Sequence, residues 1–538
     1  MKKSEKGIGF RVARWIMLFS FLAIGIIVGQ RMAYRNMVLT IDNSVELSKL
    51  NLIFQQVQQN YVDTVNMRDL IEKAIPLILE DLDPHSTYIP ASYMQKANES
   101  IEGNFDGIGV SFNMPSDTAV VMSVIPKGPS ERAGVQPGDR IVAVNSREIA
   151  GKEVPQDTIV KLLRGRSGTQ VSIKVARDGE PKPININITR DKIPLKSVDV
   201  AYMLDENTGY IKLSKFSKNT HEEFLSAATQ LKKDGMSNLL LDLRGNTGGL
   251  LDQAFEVANE FLEKGHLIVY TEGRMRPRQN YYANGKGICN TINVAVLIDE
   301  TTASASEIVA GALQDNDRGV IIGRRSYGKG LVQEPINFSD HSGIRLTVAR
   351  YYTPTGRSIQ KPYDVGHQAY ENELDDRLLR GELRVVDSTK LNENLRYETP
   401  KGKIVYGGGG IMPDVFVPID TIGANAFFVR ISQRNLIYRY ALKFTDEHRR
   451  DLNAIKTIRD LNAFYDRFSF EGLFLDYLSQ NSVRPNSQEW NECKFIVDAQ
   501  LRAYIGSNTP MGDDAYYHFI YPIDSTLQRA VEIIKEGV

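Results

Sequence analysis

The sequence predicts an α/β layered fold preceded by a separate strand-rich module and flanked by helical regions. Three observations carry this. From about residue 195 strand and helix patterns alternate; over 103–190 short strands dominate; over 40–98 and again beyond 424 apolar residues recur at helical spacing. With 538 residues the chain exceeds what one core can organise, so three or four units are expected.

Lys2, Lys3, Lys6, Arg11 and Arg14 precede an uncharged run at 15–30, WIMLFSFLAIGIIVGQ, which Arg31 and Arg35 close. This is a targeting pattern. At about 1.5 Å per residue the run falls slightly short of a hydrocarbon core of roughly 30 Å, a gap that arginines snorkelling to the interface can bridge. No small-x-small cleavage site follows it, which favours an uncleaved transmembrane signal anchor over a cleaved signal peptide or a buried helix. The expectation is a single-pass inner-membrane protein with residues 1–14 in the cytoplasm and the rest in the periplasm.

Over 40–98, Met67, Leu70, Ile71, Ala74, Ile75, Ile78, Leu79 and Leu82 follow an Asn66 cap at spacings of three and four, up to a turn at 83–86. Strands are predicted at 108–114, 119–125, 139–145, 169–177 and 183–190. In the last, Ile184, Ile186 and Ile188 alternate with Asn185 and Asn187. Short helices interrupt them at 129–133 and 156–163. The α/β region, 195–365, is read as strands 209–216, 238–243, 266–271, 294–299, 319–323 and 344–352 with helices 220–233, 250–263 and 304–314. Residues 368–401 are charged and weakly patterned, a surface excursion or mobile insert. After Gly407–Gly410, residues 415–417 form a short strand that rejoins the core within about 402–420, and 425–538 is a helical region without legible chemistry.

Lys plus Arg number 65 against 66 Asp plus Glu, so the chain has no bulk charge for a nucleic-acid partner. Cys289 and Cys493 are its two cysteines and share no metal-ligand spacing, which excludes a thiolate zinc site; whether they pair stays open. No cofactor is expected.

Gly107-Ile108-Gly109-Val110 is followed at 128–145 by GPSERAGVQPGDRIVAVN. On these segments residues 103–190 resemble a PDZ domain. A glycine-flanked loop lets successive N–H groups converge on an anion, while an exposed strand edge pairs with an extended peptide. Ile108, Gly109 and Val110 are therefore expected to bind a terminal carboxylate, with Ile108 and Val110 lining a pocket for Ala, Val or Leu. Alone, GIGV would read as a glycine-rich strand start; the downstream segment favours tail binding. Joined to the core near both ends, the module is expected to move as a lid.

The chemistry lies in three segments: TTASASE at 301–307, RSYGKGLVQ at 325–333 and LDLRGNTGG at 241–249. Ser304 falls where a strand ends and a helix begins, beside unpaired N–H groups suited to an oxyanion. A serine hydroxyl needs a base, and none of the seven histidines sits in a triad-like motif. Lys329 can serve if desolvation lowers its pKa from about 10.4 to roughly 7 or 8, a change of about 4 kcal/mol. The glycine turn of the third segment offers further N–H groups.

These motifs resemble the carboxyl-terminal processing (tail-specific) peptidases, a serine-lysine family with a crotonase/Clp-protease-like core. The likeness runs from LDPHSTY at 82–88 through the PDZ module to about Ile359 and returns in GGIMPD at 409–414. The resemblance implies Ser304, rather than Ser306, as nucleophile, Lys329 as base and Gln333 as the residue that orients it. It implies oxyanion donors at the backbone of Ala305 and of Gly249 or Gly248. Glu307 and Asp315 are read as structural. Its implied partners are proteins or peptides with free apolar C-termini, with an adaptor or homo-oligomer open.

Taken singly, each segment has a bland counterpart, a small-residue helix cap or a solvated loop lysine; their joint order favours an enzyme. Two rivals remain. Residues 323–330 nearly spell the phosphate loop G-x-x-x-x-G-K-[ST], but Gly330 stands where the hydroxyl is needed. A non-catalytic PDZ scaffold that tethers protein tails is the other.

Overall fold

The computed structural model describes residues 45–364, 366–385 and 392–537. The anchor expected at 15–30 lies outside them; among the described residues no helix is long and apolar enough to cross a membrane. The chain divides into two compact units, 1–78 and 79–538. In the first, α1 (Val45–Asn60) is followed by α2 (Met67–Glu80), which starts where Asn66 Oδ1 accepts the Arg68 N–H at 3.1 Å. The helical stretch expected over 40–98 is interrupted by a short strand, after which a further helix, Ala91–Glu102, follows. Beyond the turn at 83–86 the chain forms a strand, Thr87–Ile89, that pairs with residues 343–345 far downstream.

In the second unit, β1 (Val110–Ser116), β2 (Thr118–Val124), β3 (Arg140–Val144), β4 (Gln170–Ala176) and β5 (Ile184–Thr189) make an antiparallel sheet with β1 at its edge. Helix α3 (Gln156–Leu163) buries Ile159 and Leu163 in the same small core as Val121, Ile141, Val171 and Ile188. The chain enters and leaves this module on a two-stranded ribbon, Asn104–Gly107 against Asp191–Pro194.

The protease-like region is built on a six-stranded sheet. It runs β6 (Val198–Met203), β7 (Thr208–Leu213), β8 (Asn238–Asp242), β9 (Asn293–Ile298), β10 (Val320–Gly323) and Val415–Phe416, parallel from β7 onward. Its strands read as unbroken apolar runs because both faces are covered. Leu239, Leu241, Val294 and Val296 face α4 (Thr220–Lys233), α5 (Leu251–Asn259) and α6 (Ala305–Asp315). Leu240, Ala295 and Leu297 pack on the other face with Leu527, Ala530 and Val531. A second sheet contains the hairpin of β11 (Leu331–Asn337) and β12 (Gly343–Tyr352).

Of the surface excursion or mobile insert expected over 368–401, residues 368–385 lie mostly at the surface but are anchored at Tyr370, Arg377 and Leu383. Helices α7 (His367–Glu371) and α8 (Glu373–Leu379) bury Tyr370 and Arg377 against the core, because their polar groups find acceptors there. The C-terminal helices hold an aromatic core of Phe427, Tyr440, Phe444, Tyr465, Phe474 and Trp490. One of them, α9 (Leu436–Glu447), reaches the strand-rich module: Leu442 meets Val120 and Met122, and Asp446 pairs with Arg140. The last, α10 (Ser525–Glu536), supplies the apolar residues under the main sheet. Cys289 and Cys493 are both buried and unpaired.

Candidate active site

The loops after β8, β9 and β10 converge at the carboxyl ends of parallel strands, where open α/β sheets form ligand sites. Asp299 knits two of them. Its Oδ1 accepts the N–H groups of Thr301 and Thr302 at 3.0 Å each, and the carboxylate takes the Gly245 N–H at 3.1 Å. Thr302 Oγ1 donates to the Leu243 carbonyl at 3.0 Å, and the Ala303 N–H to that of Asn246 at 3.0 Å. These ties set Ser304 at the N-cap of α6 with φ 57° and ψ −116°, a conformation that non-glycine residues hold only when their surroundings impose it. Ser304 is half-buried. Ser306, two residues on, is fully buried and its hydroxyl donates to the Asn246 carbonyl at 2.9 Å.

Two of the three predicted oxyanion donors are open. Among the described residues the N–H groups of Ala305 and Gly249 have no acceptor, whereas that of Gly248 donates to Asn246 Oδ1 at 2.9 Å. Gly248 serves by its absent side chain: φ is 101°, and a Cβ there would lie 2.8 Å from that of Ser304.

Glu307 joins the second and third motifs. Its Oε2 accepts the N–H of Ser304 at 2.8 Å and of Lys329 at 2.9 Å; its Oε1 accepts the Gly328 N–H at 2.8 Å and the Ser326 hydroxyl at 2.5 Å. Burial pushes this carboxyl up to about 7, against the donors that favour its anion. The Tyr351 hydroxyl on β12 lies 3.0 Å from the Ser304 carbonyl and 2.5 Å from that of Lys329, tying the two chains a second time. Reading Glu307 as structural left out its place in the site; the S-x-x-E spacing from Ser304 is the one local signal for it.

Among the described residues, Lys329 Nζ donates to Gln333 Oε1 at 3.1 Å and not to the Ser304 hydroxyl. Burial lowers its pKa, and the nearby Arg345 lowers it further, while Asp83 and Glu307 oppose. Gln333, on β11, donates its amide to the His85 carbonyl. His85 is placed by the turn that opens at Asp83, whose Oδ1 accepts the N–H groups of His85 and Ser86 at 2.8 Å each. Burial, then Lys329, pushes the His85 imidazole down to about 4, so it is neutral, with Nε2 2.8 Å from the Tyr370 hydroxyl. His85 lies in the LDPHSTY segment but had no role assigned from it, and Arg345, Tyr351 and Tyr370 carry no motif that marks them in the sequence.

Two buried carboxylates, each paired with cationic side chains, support this floor. Asp242 would be raised by burial, but Arg244 at 2.6 Å and Lys212 at 3.2 Å hold it well below the usual carboxylate range. Asp315 pairs with Arg357 at 2.7 Å, both fully buried.

In the strand-rich module, Gly109 has φ 72°, and the Ile108 carbonyl accepts the Ser130 N–H and hydroxyl at 3.1 and 2.6 Å. Among the described residues the N–H groups of Ile108 and Gly109 have no acceptor. The Ile108 side chain belongs to the module's core, so of the expected pocket Val110 is the half-exposed member.

The model of peptidase family S41 matches residues 207–366, that of the PDZ domain 107–188, and a family of unknown function 427–509. A carboxy-terminal-processing protease of Bartonella bacilliformis is 35% identical over 354 residues, covering 63% of this chain and 81% of the relative. The carboxy-terminal processing protease CtpA of Bacillus subtilis is 35% identical over 317 residues, covering 59% and 67%. Among solved structures, the photosystem II D1 C-terminal processing protease is 31% identical, covering 57% of this chain and 88% of that one at a TM-score of 0.33.

Proposed function

Because the chain belongs to the carboxy-terminal processing proteases of peptidase family S41, serine peptidases that here carry a PDZ domain, we propose that it cleaves peptide bonds with Ser304 as nucleophile and Lys329 as general base. The observation that carries the assignment is the Glu307 carboxylate, which grips the main chain of both residues from one buried point.

The neutral amine of Lys329 takes the Ser304 proton as Oγ attacks the scissile carbonyl, and returns it to the leaving amine when the acyl-enzyme forms. Water then repeats the exchange. The Ala305 and Gly249 N–H groups receive the developing oxyanion. Gln333 holds the amine; a turn of Nζ from Gln333 toward Oγ completes the dyad, and substrate binding supplies it. Burial and Arg345 disfavour the ammonium form, which supports the lysine as base.

The PDZ domain presents the substrate. The open N–H groups of Ile108 and Gly109 receive a terminal carboxylate, and the edge strand β1 pairs with the extended tail. Substrates are exported proteins with free apolar C-termini. The basic-flanked apolar run at 15–30 anchors the enzyme in the inner membrane, facing the periplasm, alone, as a homo-oligomer or with an adaptor.

The test is fluorophosphonate labelling and peptide hydrolysis by the purified full-length chain. Ser304→Ala abolishes both and Ser306→Ala keeps both; the reverse outcome would move the nucleophile two residues along.

A further inference from the structure

Helices α7 and α8 follow the family-matched residues, and their sequence, HQAYENELDDRLL, is mostly polar and charged. Yet Tyr370 is 2% and Arg377 0% exposed. A buried guanidinium must find acceptors. Arg377 finds them just ahead of the base: Nη1 donates to the Ser326 carbonyl at 3.1 Å, Nη2 to the Arg325 carbonyl at 2.6 Å, and Nε to Glu382 at 3.1 Å. The hydroxyl of the same Ser326 donates to Glu307, which holds Ser304 and Lys329. Glu382 also accepts from Arg325 at 2.6 Å.

The segment holds the other side of the lysine as well. Its Tyr370 hydroxyl lies 2.8 Å from His85 Nε2, and the His85 carbonyl receives Gln333, the partner of Lys329 Nζ. The Lys361 ammonium sits 3.9 Å from the Tyr327 ring centre and 4.1 Å from that of Tyr370, closing the packing between the two grips.

We propose that residues 367–382 are a brace for the catalytic base, in which Arg377 and Tyr370 are positioning residues that fix the loop before Lys329 and the glutamine after it. The proposal rests on the Ser304–Lys329 reading. Lys329 is flanked by Gly328 and Gly330, so its own chain supplies little stiffness, and a misplacement of the amine by about 1 Å is enough to cost roughly a hundredfold in rate. The brace supplies from outside what the glycines lack. Arginine is required at 377 because a planar fork reaches two successive carbonyls, which a lysine does not.

Steady-state hydrolysis of an apolar-tailed peptide by the full-length chain tests this, with Ser304→Ala as background. Tyr370→Phe removes one hydroxyl; kcat falls roughly tenfold with KM within about twofold. The acid limb of kcat/KM moves to higher pH, because a loosened lysine regains water and its pKa climbs back toward the ordinary value. Arg377→Lys, folded by its melting curve, lowers kcat by roughly a hundredfold. Loss of total activity at an unmoved acid limb and unchanged kcat per labelled site would make the segment mere scaffolding and overturn the brace. If Arg377→Lys does not fold, Tyr370→Phe decides alone. A wild-type chain without Ser304-dependent hydrolysis overturns the dyad and the brace with it, a result distinct from an active wild type whose variants are indifferent.

Discussion

The clamp around Lys329 and the seam between the PDZ domain and the C-terminal helices are attached to the rest of the molecule in opposite ways. At the clamp, Glu307 and Arg377 are fully buried and each carries several directed hydrogen bonds. At the seam, three apolar side chains meet, Asn113 donates to the Tyr438 hydroxyl at 2.5 Å, and the Arg140–Asp446 pair keeps 41% and 27% of its side chains in water. Buried polar groups tolerate no half-satisfied arrangement, so the clamp is fixed in one geometry. A small, partly hydrated contact gives way at low cost. The loops around Lys329 are held by buried directed bonds, whereas the PDZ domain meets the C-terminal helices through a small, partly hydrated contact and joins the core on a two-stranded ribbon.

Glu307→Gln gives the largest effect that sharpens this contrast. An amide NH₂ must then face N–H donors on one side, and kcat falls by roughly a thousandfold while the affinity for a free apolar tail, measured by fluorescence anisotropy, is unchanged. A variant with near-normal turnover would remove the clamp from the argument. Next comes the electrostatics of the base. The wild-type kcat/KM rises with pH through the depressed pKa of Lys329, since the neutral amine is the active form. Arg345→Met removes a like charge, raises the lysine pKa, moves this limb to higher pH and slows hydrolysis at neutral pH several-fold; a shift toward acid would contradict the assigned cause.

Tail capture is expected to be worth less than the clamp. A peptide amidated at its C-terminus shows KM raised by about tenfold with kcat nearly unchanged, because it loses charge-assisted bonds to the Ile108 and Gly109 N–H groups. Equal kinetics for acid and amide would refute carboxylate recognition. The smallest effect belongs to the seam: Arg140→Ala, which breaks a partly exposed pair, changes stability by less than about 1 kcal/mol while speeding hydrogen exchange at the PDZ ribbon. If that substitution destabilised the chain as much as a buried clamp residue, the comparison between the two regions would be broken.

The sequence by itself determined most strands and helices of the PDZ module and of the main parallel sheet, but not the hairpin strand 331–337 or the helices 367–371 and 373–379. Unbroken apolar runs such as 239–241 and 294–298 fit a sheet covered on both faces, and the glycines at 107–109 and 248–249 mark where the backbone must come close to something else. The segments that hold Ser304, Lys329 and Gln333 stand out in the sequence because their motifs are contiguous. What only the tertiary structure decided is where the buried hydrogen bonds go. Gln333 meets a carbonyl 248 residues away in the chain, Arg377 reaches back across 51 residues to Ser326, and the Gly248 N–H, a candidate oxyanion donor by sequence, is taken by Asn246. Within the excursion expected over 368–401, the burial of Tyr370 and Arg377 is not legible because hydropathy counts polar atoms without knowing their partners. Burial of a polar side chain depends on acceptors supplied by distant strands and loops, and those meet only once the sheets are assembled.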